Sequence, residues 1–223
     1  MSSSPHALVV VALIAVTACG APAPIPESDP EPLALPTPEA LTSGASIDTF
    51  PRFSSDGRQL AYVSDEDGLR RLWVLPVGDG EPRAITPPTP FIVTPEWAPD
   101  GTGLAFVSDH AEPTGVWVTT LGGESQRVSG DELPGSAPDW SPSGEMVLYR
   151  HPQGDGFDLW LWSATASTSR QLTSGGRVRG AARWSPDGGQ LVYVGDYAGT
   201  RSLFVMSAEG GEPMALTLDE GAD

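Results

Sequence analysis

The sequence contains no lysine, and all twelve of its basic side chains are arginine. Against them stand 29 acids, for a formal net charge of −17. So acidic a chain lacks the positive footprint that neutralises phosphate backbones, which excludes nucleic acid as a partner. Cys19 is the single cysteine, so no disulfide can form within the chain. The histidines are His6, His110 and His151, and no G-x-S-x-G nucleophile elbow occurs. A serine triad would need His110 or His151, and both fall in expected hairpin loops without a nucleophile motif. The chain is therefore expected not to be an enzyme. Acids cluster at Asp65-Glu66-Asp67-Gly68 and Asp155-Gly156-Phe157-Asp158, but the full spacing of a calcium loop is missing. Gly122-Gly123 and Gly210-Gly211 lack the strand–loop–helix setting of a phosphate cradle. No metal and no cofactor are expected. The apolar run Leu8–Val16 is too short to span a bilayer.

What is abundant is turn-forming residues, 26 glycines and 23 prolines in 223 positions, which suit short strands joined by tight turns and argue against long helices. One stretch recurs four times. It begins at Pro51 (PRFSSDGRQLAYVSD), Pro95 (PEWAPDGTGLAFVSD), Pro138 (PDWSPSGEMVLYR) and Ala182 (ARWSPDGGQLVYVGD). Its leading aromatics, Phe53, Trp97, Trp140 and Trp184, are spaced by 44, 43 and 44 residues, and Trp73, Trp117, Trp160 and Phe204 keep the same step. A fixed period of this length is typical of one four-stranded propeller blade.

Within the repeat, the turn SSDG, APDG, SPSG or SPDG follows a short inner strand; Pro presets φ, Asp bonds its own backbone, and Gly accepts positive φ. The second strand (QLAYVS in the first copy) and the third (LWVLP) are nearly continuous in apolar residues. That pattern predicts burial on both faces, which only stacked blades provide. The repeated aromatics are therefore read as packing. The fold class is all-β: a β-propeller of four-stranded antiparallel blades at about 51–86, 95–129, 138–173 and 182–217. The W-SPDG turn, the LAYVSD and LWV strands and the GGEPxxLT ending resemble the repeats of the TolB-like β-propeller family over about Leu41–Thr217. The resemblance implies an envelope protein that binds protein partners, since the family includes a periplasmic component of the Tol–Pal system. It also implies an alternative, because similar repeats form the propeller of prolyl-oligopeptidase-like peptidases. The chain would then be a propeller module or remnant of such an enzyme, or of a carbohydrate-active one, without its catalytic domain.

The nine-residue run Leu8–Val16 has the length of a signal-peptide core. Val16-Thr17-Ala18-Cys19 resembles a bacterial lipobox, which implies lipidation of Cys19, cleavage before it and a lipid anchor. The alternative is an ordinary cleaved signal with an incidental cysteine. Residues 21–38 carry seven prolines in eighteen positions and read as an extended tether. The expected organisation is a lipoprotein signal peptide at 1–18, a Pro-rich tether at 19–38 and propeller repeats at 39–223. The expected location is the bacterial envelope, anchored to the outer membrane and facing the periplasm.

Four repeats leave three expectations for closure: a partial or truncated propeller, which is favoured, a closed four-bladed ring, or self-association of two chains through open blade faces. Ala40-Leu41-Thr42 matches the outer-strand endings at Ala84-Ile85-Thr86 and Ala215-Leu216-Thr217, so the folded part is expected to begin with an outer strand. The residue before each leading aromatic is Arg52, Glu96, Asp139 or Arg183. Alternation places these four near the central channel, either as ion pairs (Arg52 with Glu96, Asp139 with Arg183) or as a mouth that binds a partner peptide.

Overall fold

The computed structural model describes residues 39–110, 113–130, 135–197 and 199–217. Cys19, the expected signal segment and the expected tether up to Pro38 lie outside the described residues. The described strands form four antiparallel sheets, each of four strands, with neighbours in sequence order. The first holds β1 (Thr49–Phe53), β2 (Gln59–Ser64), β3 (Arg71–Pro76) and β4 (Arg83–Ala84). The second holds β5 (Ile92–Trp97), β6 (Gly103–Ser108), β7 (Gly115–Thr120) and β8 (Ser125–Arg127). The third holds β9 (Ser136–Trp140), β10 (Met146–Gln153), β11 (Gly156–Ser163) and β12 (Thr168–Gln171). The fourth holds β13 (Arg183–Trp184), β14 (Gln190–Tyr197), β15 (Thr200–Ser207) and β16 (Met214–Ala215). This is a β-propeller of four blades.

Each blade is closed by side chains that the repeat supplies at fixed places. In the turn after β1, Ser54 Oγ donates to Asp56 at 2.6 Å, and the amides of Arg58 and Gln59 donate back to Asp56 and Ser54 at 3.0 Å. Ser185 and Asp187 repeat the arrangement in the fourth blade. Gly57, Gly101, Gly144 and Gly188 hold φ between 70° and 74° there, which only glycine adopts without strain. At the rim, a hydroxyl after each outer strand accepts a third-strand amide: Leu72 to Thr86, Val116 to Ser129, Leu159 to Thr173 and Leu203 to Thr217, at 2.8–3.0 Å. This is the physical content of the repeat's terminal Thr.

Neighbouring blades pack face to face. Ala61, Val63, Leu72 and Val74 of the first meet Ile92, Leu104 and Phe106 of the second. Ala105, Val107 and Val116 of the second meet Val147, Tyr149 and Trp162 of the third. Leu148, Leu159 and Leu161 of the third meet Leu191, Tyr193, Phe204 and Met206 of the fourth. Strand β6 is consequently buried at every residue.

Two expectations are corrected. Burial on both faces does not extend to the fourth blade, where β14 and β15 alternate. Their second face, which carries Val192, Val194, Leu203 and Val205, packs on no further blade among the described residues, and Leu203 is exposed. Leu41 and Thr42 also form no strand, and Leu41 is exposed. An outer strand needs a third strand beside it, and the first described strand is the inner strand β1.

The inner strands of the first three blades share a bulge. The register jumps between Thr49 and Arg52, between Val93 and Glu96, and on the third blade between Leu148 and Arg150. Phe50, Thr94 and Ala137 take φ of 54°, 51° and 49° at these places. A bulge of this kind bends the strand and re-aims its side chains.

Candidate functional site at the inner strands

Arg52, Glu96, Asp139 and Arg183 each stand one residue before the leading aromatic, at the end of an inner strand. Arg52 Nε lies 3.4 Å from Glu96 Oε1, and Arg183 Nη1 lies 2.9 Å from Asp139 Oδ1. Arg183 Nη1 also lies 3.8 Å from Glu96 Oε1, a contact that skips a blade. Glu96 thus faces two guanidinium groups, and the first, second and fourth blades converge on it. The arginine side chains are 43% and 52% exposed, against 21% and 18% for the acids. The cations therefore face water while the anions are held inward. Ion pairs this exposed contribute only about 0–1 kcal/mol each to stability. The arginine donors remain accessible to an incoming carboxylate or peptide carbonyl.

Beyond the packing role expected from the sequence, the structure gives two of the leading tryptophans a second task. Trp97 Nε1 donates to the Arg52 carbonyl at 2.9 Å, and Trp184 Nε1 donates to the Asp139 carbonyl at 3.2 Å. Each therefore ties its own inner strand to that of the preceding blade, at the residue that carries the charge. The signal was present in the sequence. An indole N–H usually finds an acceptor, and for Trp97 and Trp184 it lies one repeat back, whereas Trp140 Nε1 at the same position has no partner among the described residues.

The remaining candidates fall elsewhere. His110 Nδ1 is hydrogen-bonded to Ser108 Oγ, and Ser108 also donates to the Phe91 carbonyl at 3.1 Å. Ser108 has no exposed surface, so no substrate carbonyl can reach its oxygen. Burial lowers the pKa of His110, opposed by Asp109 and by a backbone hydrogen bond at Pro87. His151 is buried against Trp160, and burial lowers its pKa too, opposed by the charge of Asp158. The acidic loops serve the fold. Asp67 sits 2.6 Å from Arg71, and Asp65 accepts the Ile47 amide at 2.8 Å. Buried Asp158 accepts from Gln171 and from the Gly176 amide at 3.2 and 3.0 Å. Among the described residues, no group of three or more His, Cys, Asp or Glu is placed to hold a metal.

Four-stranded blades stacked about a charged inner rim, each closed by the same turn and the same rim hydroxyl, define a repeat β-propeller. More specifically, the chain belongs to the TolB beta propeller domain family, whose model matches residues 81–223. The chain is similar to the solved structure of a TolB from Agrobacterium tumefaciens, with a TM-score of 0.60 and 22% identity, covering 77% of this chain and 62% of that one. It is similar to the oligogalacturonate lyase of Vibrio parahaemolyticus, with a TM-score of 0.61 and 14% identity over 76% of this chain and 53% of that one. At these identities the likeness is one of fold. An uncharacterised peptidase of Bacillus subtilis, YuxL, is 32% identical over 87 residues, which is 36% of this chain and 13% of that protein. The chain thus spans only part of the length of each of these relatives.

Proposed function

We propose that this propeller is a non-enzymatic, lipid-anchored scaffold of the bacterial envelope that captures a protein or peptide partner at its inner-strand charges. The observation that carries the reading is the arrangement of Arg52, Glu96, Asp139 and Arg183. Two cations with about half their surface in water stand beside two held acids, at one end of the inner strands. Such a rim supplies donors and acceptors to an extended peptide without needing a reacting group. Family membership supports the reading, as does the lipobox-like sequence at Val16–Cys19. Two measurements test it. Palmitate labelling of wild type and Cys19→Ala decides the anchor, and equal labelling removes it. Capture from detergent-solubilised envelopes, by wild type and by Arg52→Ala with Arg183→Ala, decides the site. Unchanged capture with unchanged stability would refute the charged rim.

The second reading is a propeller module of an enzyme whose catalytic domain is separate. The 32% identity to a protein named as a peptidase favours it. A hydrolase reading frame in the adjacent DNA, or turnover of peptide esters by the purified chain, would support it over the scaffold.

A further inference from the structure

We propose that the cleft between the second and third blades, floored by Arg150, is a binding site for an apolar group that carries a single carboxylate. The position is unusual within the repeat. Where the third blade has Arg150, the first, second and fourth have Val63, Val107 and Val194 in the same register, each opposite the matching residue of its third strand. Val63 and Val107 are buried against neighbouring blades. Arg150 therefore puts a guanidinium where its sister blades put a methyl pair.

No ion pair or hydrogen bond to that guanidinium forms among the described residues, and its Nε is buried without a partner. Its one marked contact is with Phe157, whose ring centroid lies 4.4 Å from Cζ. The side chain as a whole is partly exposed, but its Nε is shielded from water, and burial pulls the Arg150 pKa down. Two further buried polar atoms without partners line the same cleft, Thr94 Oγ1 and Ser136 Oγ. The cleft has a volume of about 480 Å³, and its other walls include Phe91, Val93, Pro152 and Phe157.

A guanidinium fork flanked by hydroxyls matches the two oxygens of a carboxylate, and the apolar walls match a hydrophobic body behind it. The net charge of −17 argues against a polyanionic ligand. The inner-strand bulges help to shape the site. Thr94 and Ala137, both at positive φ, line it. The inference does not depend on the envelope reading.

The test titrates the purified full-length chain with four probes: 3-phenylpropanoate, its amide, N-acetyl-Leu-Phe with a free carboxylate, and the same peptide as its C-terminal amide. Binding of either acid at least tenfold tighter than its amide supports the site. The arm that binds tells whether the ligand is a small acid or a peptide C-terminus. In Arg150→Val, which carries the sister-blade residue, that preference should vanish while the urea midpoint stays level or rises. Ser136→Ala should weaken acid binding severalfold. Equal binding of acid and amide, or binding of neither acid, overturns the proposal. So does a fall in the urea midpoint of Arg150→Val, which would show that the arginine is a structural partner.

Discussion

Trp184 holds Asp139 from two directions: its indole Nε1 donates to the Asp139 carbonyl at 3.2 Å, and its own amide donates to the Asp139 carboxylate at 3.0 Å. Arg183 takes the other carboxylate oxygen at 2.9 Å. One residue of the third blade thus receives three donors from the fourth, two of them at its carboxylate. Asp139→Ala should cost about 1.5–3 kcal/mol, the usual range for hydrogen bonds to a charged group. Arg52→Ala, which breaks only an exposed pair, should cost less than about 1 kcal/mol. Urea unfolding of both variants checks the contrast. Equal losses would mean that the carboxylate does not join the blades.

Packing predicts a different contrast within the last two blades. Leu159 has no exposed surface and lies between the third and fourth blades, whereas Leu203 is 41% exposed on the face that packs on no further blade among the described residues. Leu159→Ala should lose about 2–5 kcal/mol through transfer and cavity costs. Leu203→Ala should stay within about 1 kcal/mol of wild type. Denaturant midpoints at constant m-value would establish both.

The same open face carries the expected self-association. If it pairs with a second chain, Leu203→Glu should abolish concentration dependence in sedimentation velocity while leaving the circular dichroism spectrum unchanged. A wild-type chain whose sedimentation does not depend on concentration would exclude pairing through this face.

The turn glycines give a strain test free of crowding. A Cβ on Gly57 would meet nothing within 4 Å, but φ is +70°. Gly57→Ala should therefore cost about 1–2 kcal/mol from backbone conformation alone. Gly130→Ala, equally uncrowded and without positive φ, should be neutral to about 0.5 kcal/mol.

Acid stability should depend on His110 and His151. Burial is the largest influence on both His110 and His151 and lowers both pKa values from the ordinary 6.5. Below that value the unfolded chain binds more protons than the folded one, so stability falls as pH drops from 6.5 toward the lowered values. Their contribution is complete above pH 6.5. His110→Asn with His151→Ser should flatten the urea midpoint between pH 7.5 and 5. A double variant with an undiminished slope would assign the loss to other groups.

The blade itself was legible in the sequence because its determinants are local. The turn at Ser54–Gly57 folds on its own hydroxyl, carboxylate and glycine, and the Thr86 hydroxyl caps a strand only fourteen residues away. The register of Phe53, Trp97, Trp140 and Trp184 marked the inner strands for the same reason. The alternation of sign at Arg52, Glu96, Asp139 and Arg183 indicated which neighbours would pair. It did not show that Arg183 also reaches Glu96, because that contact depends on how blades rotate about the hub, and no local pattern records a rotation.

Sequence alone determined the repeat, its period and its class of fold, since each blade's turns and strand patterns are written within one repeat. Tertiary structure alone decided which faces stay wet and what surrounds each charge. Val194 and Leu203 look as buried as their counterparts until that side is seen to carry no further blade among the described residues. Arg150 looks like a mere irregularity until the cleft beside it is seen to hold no counter-charge among the described residues. Both outcomes depend on what the neighbouring blades bring to each position, and that is a property of the assembled sheets rather than of any one of them.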